Sequence, residues 1–377
     1  TNSPILPGVS VEQGLSRVYP LIESYAHVVG YVGPVSDNDL KDGNESNPLL
    51  KIPRFQVGKV GIERQFEDVL RGSAGVMKVE VNALGRVMRN LDRKEGKPGN
   101  NIQLTVDTEL QAYIQARLGS ESASAVVMNC KNGEILAIAS SPSYDPNKFV
   151  KGISYSDFNE LRDNEFRPLA SKTVQDAYPP GSTFKIVTAL AALEANIISS
   201  KDNFSCDGKM EISNRFFHCW KNSGHGEMNL AKSISESCDV YFYELALKVG
   251  IERINEMAVQ LGLGIQHDVP MSAITKGLVP SREWKLKNRE QDWLVGDTVN
   301  ASIGQGYVLS SPLQLAVMVA RLASGRNVKP MLTKSINGQN VNDDKEFEDL
   351  KVGKANLKII RKALFKASND RRGTAYG

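Results

Sequence analysis

The stretch Tyr178-Pro179-Pro180-Gly181-Ser182-Thr183-Phe184-Lys185 constrains this 377-residue chain more than any other. Two prolines and a glycine forbid helix before Ser182, whereas Ile186, Val187, Ala189, Leu190 and Leu193 recur at helical spacing after it. The pattern predicts that Ser182 opens a buried helix. Ser182 and Lys185 then stand at i and i+3 on one face, with an amine in hydrogen-bond reach of a hydroxyl. An alcohol is a poor nucleophile until a base takes its proton, and a desolvated lysine held neutral is such a base. No other Ser-x-x-Lys occurs in the chain. Taken alone, the same residues also suit an ordinary capped helix.

A second element narrows the reading. Ser237-Cys238-Asp239 lies between helical runs over residues 230–236 and 240–249, with Gly250 as the stop. Ser-x-x-Lys accompanied by such a serine triplet is the signature of serine enzymes that react with penicillin. The chain resembles the class B penicillin-binding proteins, and within them the elongation-type penicillin-binding protein 2 group, in which the triplet can read Ser-x-Asp. The resemblance also covers His27-Val28-Val29-Gly30-Tyr31-Val32-Gly33, the block over residues 58–72, Ser141-Pro142-Ser143-Tyr144-Asp145-Pro146-Asn147 and Ile303-Gly304-Gln305-Gly306-Tyr307.

That resemblance implies an α+β fold. A β-lactamase/transpeptidase-like penicilloyl-serine transferase domain, with an antiparallel sheet and a helical subdomain, follows a β-rich pedestal of the dimerisation type. It implies a peptidoglycan D,D-transpeptidase of cell-wall elongation. Ser182 attacks the penultimate D-Ala carbonyl of a stem peptide, Lys185 receives its proton, and Ser237 relays the proton to the leaving D-alanine. Asp239 holds Lys185 or the substrate amide, or is only a helix cap. A second stem peptide's amine resolves the acyl-enzyme, and β-lactams acylate Ser182. The implied partners are a membrane-embedded glycosyltransferase and other elongation-complex proteins, met through the pedestal. The implied location is the periplasmic face of the bacterial inner membrane, on a single N-terminal anchor that this sequence does not contain.

The residues themselves organise the chain. Lys plus Arg of 46 against Asp plus Glu of 43 leaves a net charge of +3, with no basic stripe, which argues against nucleic acid. No apolar run reaches about 18 residues, so no spanning helix is predicted. Val9-Ser10-Val11 and Val28-Val29-Gly30-Tyr31 read as strands, residues 36–47 as a solvated loop, and Ile62, Phe66, Val69 and Leu70 as one face of a short helix ended by Gly72. Asn44-Glu45-Ser46 matches a glycosylation sequon, taken as chance. Residues 77–83 alternate as a strand. The breaker-rich residues 92–100 mark a domain boundary, giving a pedestal over 1–100 without a nucleophile-base pair and a transpeptidase domain over 101–377. Asp107 or Thr108 caps a helix carrying Leu110, Ile114 and Leu118, and a hairpin follows over 125–139. Residues 200–229 read as an inserted loop, Ser311 and Pro312 start a helix stopped at Gly325, and Leu357, Ile360 and Leu364 mark a last helix.

Cys206, Cys219, His225 and Cys238 succeed one another at intervals of 13, 6 and 13 residues. Thiolates and imidazole in a set of four suit tetrahedral zinc, though not at zinc-finger spacing. Some members of the resembled group are similar in carrying zinc beside the active site, the last ligand lying inside the second motif where Cys238 stands. Two other readings are a Cys206–Cys219 disulfide and free buried thiols. His218 and Asp207 are reserve ligands. A zinc held by four protein ligands would be structural, with no cofactor required for the chemistry.

The family's third motif, Lys-Thr/Ser-Gly, does not occur. The resembled strand supplies one N–H of the oxyanion hole, and losing such a donor costs ~10²–10³ in rate. The transpeptidase domain is therefore expected to stop short of that motif and to be impaired or inactive in this form. Other readings are a septal-type transpeptidase, a serine β-lactamase, and a penicillin-binding sensor or scaffold without transpeptidation.

Overall fold

A computed structural model describes residues 16–41, 48–52, 55–83, 87–341 and 346–377. The strand expected at Val9-Ser10-Val11 and the sequon at Asn44 lie outside the described residues. The chain divides into two compact units, Thr1–Asn100 with Ser143–Leu169, and Asn101–Pro142 with Ala170–Gly377.

In the first unit, Val32–Pro34 pairs antiparallel with Gln56–Gly58. Val28 and Val29, expected in a strand, belong instead to the helical turn Ala26–Val29. The main chain closes there through Val28 N–H to Tyr25 O and Gly30 N–H to Ala26 O, and Val28 is buried, so packing overrides the strand preference of valine. Residues 143–169 join this unit because their aromatic side chains finish its core. Phe149 stacks on Tyr31 with ring centroids 4.1 Å apart, and Tyr144 meets both edge-on. The helix expected through Ile62 and Leu70 is two shorter ones, Gly61–Gln65 and Glu67–Arg71, interrupted at Phe66. Val76–Val81 is a strand, paired with Val87–Lys94 in a two-stranded ribbon that is exposed along nearly its whole length. Asp92, Arg93 and Lys94, read as linker, complete that ribbon, because cross-strand pairing outweighs their polar character.

The second unit is mixed. Thr333–Ile336 is the central strand of an antiparallel sheet, between Ile102–Leu104 and Gln339–Asn340. Ala123–Met128 and Ile135–Ser141 form the expected hairpin. Thr108–Leu118, N-capped by the Asp107 carboxylate at 2.9 Å from Leu110 N, packs on Ile135–Ser141. Buried Gln111 stitches that contact, its amide exchanging hydrogen bonds with the main chain of Ile138 at 2.8 and 3.0 Å.

The helical half is organised around Lys185–Glu194, whose residues from Lys185 to Leu193 are all buried. Asp239–Val249, Ile251–Gln260, Val295–Ser302 and Lys354–Asn369 surround it. Pro312–Ser324 carries a capping box at Ser311 and ends at left-handed Gly325. Residues 200–229, read as a loop, are a nested pair of ladders. Asn203–Cys206 pairs with Gly226–Asn229, and inside them Lys209–Ile212 pairs with Arg215–His218.

Candidate active site

Ser182 lies in a 3₁₀ turn, Gly181–Phe184, that feeds directly into Lys185–Glu194, rather than in the α-helix itself. Side chains three apart in a 3₁₀ turn eclipse, which aligns Ser182 with Lys185 more closely than an α-helix would. Ser182 is exposed, while Lys185 retains 2 % of its accessible surface. The turn is held from the opposite side by main chain, Gly181 N–H donating to Gly304 O at 3.0 Å. Gly304 is left-handed, at φ +70°, and a Cβ there would stand 2.4 Å from Gly181 O, so this approach admits only glycine. One helical turn further on, Thr188 Oγ1 donates to Ser302 O at 2.8 Å.

The second motif closes over this turn. Ser237 Oγ donates to Ser182 Oγ at 3.0 Å. Lys185 Nζ donates to Ser237 Oγ at 2.9 Å and to Ser237 O at 2.8 Å, and it pairs with Asp239 Oδ1 at 2.7 Å. These three contacts match the three protons of an ammonium. The other carboxylate oxygen of Asp239 accepts the main-chain N–H of Trp220 at 2.9 Å. Cys238 occupies the N-cap position of Asp239–Val249, so the Asp239 carboxylate is turned to Lys185 and is not the cap. All four sequence-predicted residues therefore meet, and Lys185 reaches Ser182 through the Ser237 hydroxyl. A solvent-facing hydroxyl wired through a second hydroxyl to a sealed amine-carboxylate pair can deliver a nucleophile and move its proton.

Cys206, Cys219, His225 and Cys238 converge beside it, their ligand atoms all within 4.8 Å of one another. All four cysteines of the chain are free thiols, so Cys206 and Cys219 are not bridged. His225 Nδ1 lies 3.6 Å from Cys206 Sγ and 3.5 Å from Cys219 Sγ. Zinc bonds of about 2.3 Å to sulfur and about 2.0–2.1 Å to nitrogen, at the tetrahedral angle, place N and S about 3.5–3.6 Å apart, so the residues present fit that ion. His225 Nε2 is buried with no hydrogen-bond partner, which leaves the sulfur cluster as the polar environment of the ring. Cys219 is pulled down by a hydrogen bond from Cys238, and further by N–H groups of Lys221, Asp239 and Val240, against the opposing effect of burial. Cys238, the donor of that pair, is pushed up. His218 and Asp207 stand outside the group, and the Tyr243 hydroxyl donates to His218 O at 3.1 Å.

The Penicillin binding protein transpeptidase domain model matches residues 123–377. The chain belongs to the penicillin-binding protein transpeptidase family. The Penicillin-binding Protein dimerisation domain model matches residues 1–104 of this family member. It is 38 % identical over 335 residues to peptidoglycan D,D-transpeptidase MrdA of Acinetobacter baumannii, covering 88 % of this chain and 49 % of that protein. The solved PBP2 of Pseudomonas aeruginosa in complex with WCK 5153 is 36 % identical at a TM-score of 0.85, covering 96 % of this chain and 76 % of that one. PBP2 of Helicobacter pylori in complex with MreC is 34 % identical at a TM-score of 0.86, covering 96 % and 66 %. The chain spans about half the length of the curated relatives it matches. Among the described residues no helix is long and apolar enough to cross a membrane.

Trp220 is the site residue that the sequence did not mark. It sits in a loop with no periodicity, and an aromatic beside a cysteine carries no motif. Gly304 stands in Ile303-Gly304-Gln305-Gly306-Tyr307, but what requires glycine there, contact with the Ser182 turn, lies far away in sequence.

Proposed function

We propose that this chain is the acyl-transfer part of an elongation-type peptidoglycan D,D-transpeptidase, acting through an acyl-Ser182 intermediate. The observation that carries the reading is the hydrogen-bond chain from Lys185 Nζ through Ser237 Oγ to Ser182 Oγ, closed by Asp239. With Lys185 as the neutral amine and the two hydroxyl protons turned toward it, Ser182 attacks the penultimate D-Ala carbonyl of a stem peptide, and its proton passes by way of Ser237 to Lys185. The new ester bond forms as the peptide bond to the terminal D-alanine breaks. Ser237 returns a proton to that leaving amine. Asp239 keeps the amine of Lys185 pointed at Ser237. The amine of a second stem peptide then attacks the ester, releasing Ser182 and leaving a cross-link; splitting acyl transfer in this way replaces one hard step by two easier ones. β-Lactams, read as D-Ala-D-Ala mimics, acylate the same hydroxyl.

Residues 1–100 serve in this reading as the non-catalytic pedestal, joined by residues 143–169 that pack into the same unit, and the rest of residues 101–377 carries the transpeptidase chemistry. Cys206, Cys219, His225 and Cys238 would hold a zinc ion, which supplies structural cross-linking and no reactive position, since four protein ligands fill a tetrahedral shell. Partners of the elongation complex are supported by likeness to a PBP2 solved with MreC and to a chain of a peptidoglycan synthase complex, and a membrane-embedded glycosyltransferase partner and a periplasmic position on the inner membrane belong to the same reading.

The test is intact mass with and without excess benzylpenicillin, beside Ser182→Ala. One penicilloyl adduct, absent from the variant, is the expected result. No adduct on this chain, and none on one extended through a Lys-Thr/Ser-Gly strand, would sink the assignment.

A further inference from the structure

The carbonyl of Ser237 is bound twice. Lys185 Nζ donates to it at 2.8 Å and the indole Nε1–H of Trp220 at 3.0 Å, with a longer contact from the same indole to Glu236 O at 3.2 Å. A carbonyl oxygen has two lone pairs, and both are used here. Ser237 itself is left-handed, at φ +53°, a conformation disfavoured for a residue with a Cβ and kept only where surrounding contacts over-determine it. The following amide, Cys238 N–H, donates back to Ser233 O at 2.9 Å. Trp220 is 59 % exposed, so little of its stabilising effect comes from burying the ring. The part of the side chain committed inward is the N–H. Trp220 also meets the His225 ring edge-on at 5.4 Å, and its main-chain N–H holds Asp239. One residue thus touches both ends of the second motif from the loop that carries Cys219 and His225.

We propose that Trp220 is a positioning residue for acyl transfer. With Lys185, its indole N–H locks Ser237 in the left-handed turn that aims the Ser237 hydroxyl at Ser182. The inference deepens the acyl-transfer reading and rests on it.

The experiment replaces Trp220 in the full chain by 3-benzothienylalanine, which exchanges N–H for sulfur and leaves the bicyclic ring, with Trp220→Phe as a second variant. Two readouts are taken. Amide hydrogen exchange is followed across residues 233–240, with Pro312–Ser324 as the remote reference. Benzylpenicillin acylation is resolved into an initial dissociation constant and a first-order acylation rate constant. The expected result is about tenfold faster exchange across 233–240 with the reference helix unchanged, and about tenfold slower acylation at an unchanged dissociation constant, the loss of one hydrogen bond to a fixed carbonyl. Unchanged exchange across 233–240 in both variants overturns the proposal, as does equal acceleration in the reference helix. If neither the unaltered chain nor one extended through a Lys-Thr/Ser-Gly strand is acylated, the acyl-transfer reading fails by itself, and the exchange readout still decides whether Trp220 holds Ser237.

Discussion

Lys185 Nζ lies 2.7 Å from Asp239 Oδ1, and the two side chains keep only 3 % and 11 % of their accessible surface. Removing one member of such a sealed pair strands the other charge, at a cost of about 3–5 kcal/mol. Asp239→Ala is therefore expected to lower unfolding stability by an amount of that order at an unchanged denaturant slope, with Asp239→Asn milder. Guanidinium unfolding curves check this, and a loss below about 1 kcal/mol for the alanine variant would contradict it.

Ser237→Ala deletes the hydroxyl between Lys185 and Ser182. A proton-transfer group of this kind is worth about 10²–10⁴ in rate. Acylation by benzylpenicillin is expected to slow by a factor in that range while the dissociation constant before acylation stays put. Stopped-flow acylation against penicillin concentration separates the two, and a loss confined to binding would assign Ser237 to substrate recognition.

Gly304→Ala tests the main-chain seat of the Ser182 turn. The added methyl would stand 2.4 Å from Gly181 O and 2.7 Å from Phe184 Cβ, at a backbone φ of +70°. Strain and overlap together are expected to cost more than about 1 kcal/mol and to disturb Ser182. Thermal melting and acylation rate are the measurements; wild-type values for both would refute the packing argument.

For the Cys/His group, plasma mass spectrometry should find about one zinc per chain, lost in Cys206→Ala and Cys219→Ala. Because metal affinity adds to folding free energy, chelation is expected to lower Tm by at least about 5 °C. Metal-free wild-type protein that melts at the same temperature as the zinc-loaded form would make the group four structural residues and nothing more.

Acid sensitivity of the first unit should centre on Asp39. Burial acts to raise its carboxyl, but hydrogen bonds from Lys59 and Ser36 prevail and hold it down to about 2. Its folded value lies below the unfolded carboxylate value of about 3.9, so its stabilising effect is complete above about pH 4 and disappears as pH falls toward 2. Asp39→Asn is expected to flatten stability over that window, as read by urea unfolding of both proteins at stepped pH. An identical slope in both would rule Asp39 out.

Much of the active site was legible because its parts repeat at helical intervals. Ser182 and Lys185 are three apart beside an apolar face, Gly250 and Gly325 stop their helices, and Asp107 and Ser311 cap theirs. What escaped reading depends on contacts between distant residues. Strands as short as Asn203–Cys206 and Arg215–His218 have too few positions to show alternation, so a ladder read as a loop. Residues 143–169 side with the first unit because Tyr144 and Phe149 find Tyr31, a choice invisible to local pattern. The 3₁₀ turn at Ser182 and the left-handed Ser237 are likewise set by what they touch.

The hydrogen bond from Gly181 to Gly304 is made entirely of peptide atoms. Mutational drift on the surrounding rim, at exposed Thr183 or Gln305, changes side chains without touching that bond. The rim can thus be remodelled while Ser182 Oγ keeps its place.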